Sequence, residues 1–284
     1  MSAPLVLATD LDGTLADVIA AARAELIAGV RATAGARLIY VTGRAPASAR
    51  SVLESAALPA PDVLIADVGT TVLRGAGPEP VEAIEAELQR LWPGSEIVRA
   101  RLAGVRGLEE QDVDAPRRVS YWIRPVRERR GAGTGGNGDE FRARDPGDPS
   151  LDVDAAAIAS RAALQAAYAL APLEVDVLMS ANVFLDVLPR GVNKGTTLRR
   201  VLRWMGADER GCIVAGDSLN DLALFETGLR GIVVGNCEPA LRARVADMRQ
   251  VYRAHGVGAA GVLEGLRHHG YLRAASLGGG RDGQ

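Results

Sequence analysis

Residues 5–14, LVLATDLDGT, run a short apolar segment straight into two aspartates one residue apart. Leu5 to Thr9 reads as a buried strand, because a brief apolar run that stops at polar turn residues has a strand's length rather than a helix's. With side chains alternating at a period of two, Asp10 and Asp12 leave the strand end on one side and Leu11 on the other. Gly13 and Thr14 then permit a tight turn with free amide donors. Two carboxylates this close repel each other unless a cation or a shared proton compensates. The stretch therefore predicts a strand whose carboxyl end carries chemistry.

Working outward, the same unit repeats. Ala20 to Ala34 is rich in helix formers with a recurring apolar face, and Leu38 to Val41 is a second apolar run, ending at TGR. The helical pattern 47-ASARSVLESAAL and a third run, Val63 to Ala66, ending at DVGTT, complete the block. After residue 183 the alternation resumes. FLDVL reads as a strand, Lys194 to Met205 as a helix, CIVA as a strand ending at 216-GDSLND, LALFET as a short helix and GIVV as another strand. The VYRA run reads as an edge strand and 257-VGAAGVLEGLRHHG as a terminal helix. Strands alternating with helices predict an α/β fold with a mostly parallel sheet.

Between these blocks the pattern changes. The segment 79-EPVEAIEAELQRLW is helical in spacing, and 118-RVSYWIRP is a strand stopped by Pro125. Residues 129–150 lack apolar periodicity and read as a loose loop. Asp152 to Leu170 reads as an Ala-rich helix and 173-LEVDVLM as a strand. The expected organisation is a core in two parts, 1–75 and 180–284, around an inserted α/β cap at 76–179. A length of 284 residues leaves room for both.

A second acidic pair lies in 214-VAGDSLNDLALF. Asp217 opens a helical turn and Asp221 follows one turn later, so both can face one cation, with Asn220 close by. Carboxyl oxygens plus water suit a hard octahedral ion such as Mg²⁺ better than zinc. Thr42, in 40-YVTGR, ends a strand, where its hydroxyl and the amides of Gly43 and Arg44 can hold an anionic oxygen. Lys194, in 191-GVNKGTT, opens a helix against the dipole's preference, which makes sense where an anion or carboxylate answers it.

Composition removes other classes. With 33 basic and 35 acidic residues, the formal charge of −2 excludes a broadly basic nucleic-acid binder. Two cysteines, Cys212 and Cys237, and 3 histidines supply neither a disulfide framework nor a zinc cluster, which favours a reducing compartment. The start, MSAPLVLATDLDG, has no basic region before its apolar run, and no apolar stretch is long enough to span a bilayer. The expectation is a cytoplasmic protein with no membrane partner. The absence of a long heptad pattern leaves oligomeric state open.

Together, 10-DLDGT, Thr42, Lys194 and 216-GDSLND resemble, in order and separation, the four motifs of the haloacid-dehalogenase-like phosphatases. That resemblance implies a Rossmann-like core, an inserted α/β cap and Mg²⁺ held by Asp10, Asp217 and Asp221 with the Asp12 backbone carbonyl. It implies Asp10 as nucleophile, Asp12 as general acid and base, and Thr42 and Lys194 as stabilisers of the transferring phosphoryl oxygens. Asn220 is implied to orient the phosphate or the Asp217 loop. Segments 38-LIYVTGR, 62-DVLIADVGTTV, 117-RRVSYWI, 185-LDVLPRGVNKGTTL and 231-GIVVGNCEPAL are similar to the sucrose-phosphate-phosphatase branch. The substrate implied is a phosphorylated non-reducing disaccharide or glycoside, with sucrose 6-phosphate leading. A broader hexose or polyol phosphatase, a phosphomutase and a silent phosphosugar-binding protein are the alternatives.

Further substrate contacts are expected from Gly43, Arg44 and Arg118, and from Ser180 and Asn182 in 180-SANVF, which otherwise form a capping turn. Asp67 and Thr70 make either a polar shelf for substrate or a simple turn. Of Tyr121 and Trp122, strand alternation buries one and frees the other for a sugar face, without choosing between them.

Overall fold

The computed structural model describes residues 3–16, 20–124, 149–180 and 182–272. The stretch expected as a loose loop lies mostly at 125–148, outside the described residues. The chain forms two compact units, one of residues 1–88 and 192–284 and one of residues 89–191.

The first unit is a doubly wound sheet. Its chain order begins β1 (Val6–Thr9), α1 (Ala20–Ala32), β2 (Arg37–Val41), α2 (Pro46–Ser55), β3 (Val63–Ala66) and β4 (Thr71–Arg74). Then comes α3 (Glu82–Leu91), whose last residues belong to the second unit. Within the second unit lie α4 (Ser95–Leu102), β5 (Leu108–Glu110), β6 (Val119–Ile123), α5 (Pro149–Leu170), β7 (Val175–Ser180) and β8 (Phe184–Pro189). The chain returns to the first unit through α6 (Lys194–Met205), β9 (Cys212–Gly216), α7 (Leu222–Phe225), β10 (Arg230–Val233), α8 (Pro239–Arg244), β11 (Val251–Arg253) and α9 (Ala259–His268).

The first sheet runs β11-β10-β9-β1-β2-β3-β4, parallel throughout except for the antiparallel edge pair β3–β4. Strands β1, β3 and β9 are buried from end to end, as expected for strands covered on both faces. One apolar cluster packs α1, α2 and α9 on one face, and a second packs α3, α6, α7 and α8 on the other. β1 is central, so Asp10 and the loop after β9 leave neighbouring strands at the same sheet edge. Ligand sites in open α/β sheets occupy that carboxyl edge.

The second unit is a four-stranded antiparallel sheet, β5-β6-β8-β7, with α4 and α5 packed on one face. Here the sequence expectation needs correction. FLDVL, expected as a core strand, is β8, and it pairs with β6 and β7 in this second sheet. Apolar alternation marked the strand, but pairing depends on contacts distant in sequence. The helical 79-EPVEAIEAELQRLW segment, expected in the cap, belongs to the first unit up to Leu88, because Val81, Ile84 and Leu88 pack into the core cluster with Leu198 and Val201.

Candidate active site

The carboxyl edge gathers an acidic cluster around one ammonium. Asp10, Asp217 and Asp221 each offer a carboxylate oxygen, all within 4.8 Å of one another. Lys194 Nζ donates to Asp10 Oδ1 at 2.8 Å, Asp221 Oδ1 at 2.6 Å and Asn220 Oδ1 at 2.7 Å. Lys194 and Asp221 are fully buried, and Asp10 nearly so.

Local sequence explains each placement. Gly13 takes a left-handed φ of 68°, and a Cβ there would lie 2.3 Å from Asp217 Oδ2, so a larger residue would strain the turn and push the Asp217 carboxyl aside. Thr14 Oγ1 donates to Asp217 Oδ1 at 3.2 Å. Asp221 folds back, its Oδ2 accepting from the amides of Asp217 and Ser218 at 3.1 and 3.2 Å. Lys194 is the first residue of α6, which a capping box fixes. Asn193 Oδ1 accepts from the Thr196 amide at 2.9 Å, and Thr196 Oγ1 from the Asn193 amide at 3.1 Å. The helix start is seated by Gly195, where a Cβ would strike the Ala223 carbonyl, and by Thr197 Oγ1, which donates to the Gly69 carbonyl at 2.7 Å.

The electrostatics are those of a cation site. Burial raises the Asp10 carboxyl well above its ordinary range, and repulsion from Asp221 adds to this while Lys194 opposes it. Burial, then repulsion from Asp221, pushes Asp217 up to about 6. For Lys194, burial works against the charge, but Asp10 and Asp221 outweigh it and hold the ammonium protonated. Three carboxylates against one ammonium leave a buried excess of negative charge, and an all-oxygen donor set of this kind fits a hard divalent ion.

Asp12 points elsewhere. The Arg44 guanidinium grips its carboxylate, with Nε at 2.8 Å from Oδ2 and Nη2 at 2.6 Å from Oδ1, while Nη1 donates to Ser48 Oγ at 3.0 Å. Thr42 is buried at the end of β2, its Oγ1 accepting from the Arg44 amide at 3.1 Å, with the partly exposed Gly43 between them.

Asp67 and Thr70, read from the sequence as a polar shelf or a simple turn, follow directly on β3. Both are fully buried, and they build the turn between β3 and β4. Thr71 Oγ1 donates to Asp67 Oδ2 at 3.0 Å, and Thr70 Oγ1 donates to the Asp67 carbonyl at 3.0 Å. Asp67, Val68 and Gly69 all have positive φ, at 51°, 59° and 105°. This strained turn meets both the Arg44 loop, through Asp67 N to the Arg44 carbonyl, and the start of α6. Strain held in this way clusters at functional sites.

The remaining candidates belong to the second unit. Arg118 is buried, its Nη1 3.5 Å from Asp186 Oδ1, which also accepts from Ser120 Oγ at 2.5 Å. Ser180 ends β7 in register with Phe184, and Asn182 is exposed at the β7–β8 turn with a φ of 56°. Tyr121 is the buried aromatic. Trp122 is partly exposed and tilts against Phe184, ring centres 4.7 Å apart.

Two residues of the loop after β10 escaped the sequence reading. Asn236 Nδ2 donates to the Gly13 carbonyl at 2.8 Å, and its Oδ1 accepts from Gly258 N at 2.8 Å. Glu238 accepts from Leu219 N at 2.8 Å through Oε2 and donates its amide to the Asp217 carbonyl at 2.7 Å. Their signals were position, since NCEP follows the next predicted strand after the one that ends in GDSLND, and the resemblance carried by 231-GIVVGNCEPAL, neither of which gave the two residues a role.

A doubly wound core split by an antiparallel α/β unit, with this cluster at its carboxyl edge, defines a haloacid-dehalogenase-like hydrolase. The sucrose-6F-phosphate phosphohydrolase family matches residues 3–130 and 149–270. The chain belongs to that family of sugar-phosphate phosphatases. It is 28% identical over 272 residues to the mannosylfructose-phosphate phosphatase of Agrobacterium fabrum, covering 93% of this chain and 96% of that one. It is 32% identical over 268 residues to the glucosylglycerol-phosphate synthase of Pseudomonas anguilliseptica, covering 94% of this chain but 31% of the synthase. The Synechocystis sucrose-phosphatase, solved in complex with sucrose and phosphate, shares the fold with a TM-score of 0.71 at 24% identity, over 94% of this chain and 98% of that one. Among the described residues, no helix is long and apolar enough to cross a membrane.

Proposed function

We propose that the chain hydrolyses the monophosphate of a non-reducing disaccharide or glycoside, with sucrose 6-phosphate as the leading substrate. The observation that carries this reading is the buried Lys194 bound to both Asp10 and Asp221 at the carboxyl edge of the sheet. Relatives acting on mannosylfructose phosphate and sucrose phosphate by name support the substrate class.

In this reading Mg²⁺, held by Asp10, Asp217 and Asp221 with the Asp12 carbonyl, supplies charge neutralisation and polarises the phosphoryl group when bound. Lys194 occupies Asp10 Oδ1, so Oδ2 is the attacking atom. It forms a bond to phosphorus as the ester P–O bond breaks, giving an aspartyl-phosphate. Asp12, once its ion pair with Arg44 opens and its carboxylate has taken up a proton from solvent, gives that proton to the departing sugar oxygen, then takes one from the water that attacks the acyl phosphate and releases inorganic phosphate. Thr42 and the amides of Gly43 and Arg44 hold phosphoryl oxygens. The three donors of the Lys194 ammonium are already spent on Asp10, Asn220 and Asp221. Its first task is therefore to align those groups, and donation to phosphate requires one of these bonds to exchange. Arg118, Ser180 and Asn182 remain candidates for sugar contact, and the setting is the cytoplasm.

The test is a phosphate-release comparison of sucrose 6-phosphate, mannosylfructose phosphate, glucosylglycerol phosphate and simple hexose phosphates, with Mg²⁺ and with EDTA. A disaccharide specialist shows kcat/KM at least about tenfold above the hexose phosphates. Equal values across the panel favour the broader hexose or polyol phosphatase. Asp10→Asn should abolish release, and wild-type turnover in that variant rejects Asp10 as nucleophile.

A further inference from the structure

The loop between β10 and α8, residues 234–238, touches both acidic loops, yet no step of the hydrolysis uses it. Asn236 Nδ2 donates to the Gly13 carbonyl at 2.8 Å, on the turn that carries Asp10 and Asp12. Two residues on, the Glu238 amide donates to the Asp217 carbonyl at 2.7 Å, and Glu238 Oε2 accepts from the Leu219 amide at 2.8 Å. A third side is fixed as well. Asn236 Oδ1 accepts from the Gly258 amide at 2.8 Å, and the Gly235 amide donates to the Gly256 carbonyl at 2.7 Å. A Cβ on Gly235 would lie 2.2 Å from the His255 carbonyl oxygen, so the loop meets the segment before α9 backbone against backbone. Helix α9 in turn buries Ala259, Val262 and Leu266 in the core. The loop is therefore a clip with a rigid base and one arm on each acidic loop.

The three carboxylates of the cluster are not held equally. Lys194 donates to Asp10, Asp221 and Asn220, and Asp217 is not among its acceptors. The Asp217 carboxylate receives the Thr14 hydroxyl at 3.2 Å, beyond the ~2.5–3.0 Å of a well-formed O–H···O bond, while Asp221 repels it. Like charges move apart unless the backbone that carries them is fixed. Asn236 and Glu238 fix the backbone on both sides of the Thr14–Asp217 contact, at the Gly13 carbonyl beside Thr14 and at the Asp217 carbonyl itself. Both side chains are exposed, so packing in the core does not account for these bonds.

We propose that Asn236 and Glu238 are positioning residues that set the separation of the two acidic loops, and through it the affinity of the site for a divalent cation. They act through Gly13 and the Asp217 loop rather than on the cation, and the proposal rests on the reading that Asp10, Asp217 and Asp221 hold Mg²⁺. An ion that demands near-octahedral geometry tolerates little spread among its donors, and groups that orient its ligands are worth about 10- to 100-fold in affinity.

Metal binding without substrate is the test. The full chain is titrated with Mn²⁺, which takes the same oxygen donors, and binding is read from the loss of the free-ion EPR signal. Asn236→Ala and Glu238→Ala should each weaken binding, and together by about 10- to 100-fold. The titrations are run well below the melting temperature, where a merely structural role leaves the affinity of the folded protein unchanged. Two conservative variants separate position from charge. Glu238→Gln keeps an acceptor for the Leu219 amide and should bind nearly as the wild type does. Asn236→Asp keeps the acceptor for Gly258 but sets an anion against the Gly13 carbonyl, so it should weaken binding even though its added charge attracts the cation. That variant also carries the test if Asn236→Ala fails to fold. Asp217→Asn is the control for the metal site itself. Weakened binding in Asp217→Asn beside wild-type affinity in the Asn236 and Glu238 variants overturns the proposal alone. Glu238→Gln as weak as Glu238→Ala overturns it for Glu238, because charge then accounts for the effect. Unchanged affinity in Asp217→Asn overturns the reading of the metal site and the proposal with it.

Discussion

Arg44 holds Asp12 by a two-pronged ion pair, Nη2 to Oδ1 at 2.6 Å and Nε to Oδ2 at 2.8 Å, so the loop after β2 sets the direction of the second aspartate of the DLDGT turn. Both side chains are partly exposed, 38% for Arg44 and 41% for Asp12, so this geometry matters more for orientation than for stability. If Arg44 positions a proton donor, Arg44→Ala should lower kcat by about 10- to 100-fold on a sugar phosphate, whose leaving alcohol needs a proton. The loss on p-nitrophenyl phosphate, whose leaving group does not, should be several-fold smaller. Equal losses on the two substrates assign Arg44 to phosphate binding instead.

Lys194 is the keystone of the acidic cluster, and its removal leaves Asp10 and Asp221 buried without their cation. Breaking a buried ion pair from one side costs about 3–5 kcal/mol. Lys194→Met should therefore lower the melting temperature as well as abolish turnover. Millimolar Mg²⁺ should stabilise this variant more than the wild type, because the metal then supplies all the compensating charge. Calorimetric melts of both proteins with Mg²⁺ and with EDTA check this, and equal metal-induced shifts count against the shared cluster.

The parts of the site that were legible in the sequence are those that local periodicity determines. Asp10 and Asp12 follow a strand, Asp217 and Asp221 flank one helical turn, and Lys194 opens a helix whose predicted span agrees with α6. What was hidden depends on tertiary geometry. The apolar FLDVL run announces a strand but not the partners β6 and β7 that move it to the second sheet. Asp67 and Thr70 look like polar surface residues until the left-handed path through Val68 and Gly69 turns them inward. Asn236 reaches Gly13 across 223 residues, a distance no spacing rule covers.

Gly69 tests whether that turn positions the chemistry. Its φ is 105°, and an added Cβ would lie 2.6 Å from the Asn193 carbonyl carbon, immediately before Lys194. Gly69→Ala should cost at least about 1–3 kcal/mol, since both the backbone conformation and the contact are unfavourable. Because the clash pushes on the first turn of α6, turnover should fall further than the folded fraction does. Measuring kcat well below the melting temperature separates the two, and unchanged kcat there would show that the turn is only structural.

Glu264 provides a pH signature remote from the acidic cluster. Burial acts to raise its carboxyl, but the Gly256 amide at 2.8 Å, the Tyr252 hydroxyl at 2.7 Å and the His255 amide at 3.2 Å outweigh burial and hold it down to about 2. These bonds fasten the segment after β11 to α9. A carboxyl whose folded value lies below its unfolded value of about 4.3 contributes stability that is complete above the unfolded value. That contribution is lost as pH falls through the folded value, so the window runs from about pH 4.5 down to about 2. Glu264→Gln keeps the acceptor oxygen but loses the charge. With the side chain 31% exposed, the cost at neutral pH should be about 1 kcal/mol after solvent screening. The difference in denaturant midpoint between wild type and variant should be constant from pH 7 to 5 and shrink below pH 4.5. A gap that persists unchanged to pH 2.5 would mean that packing, not the ionised carboxylate, holds this segment.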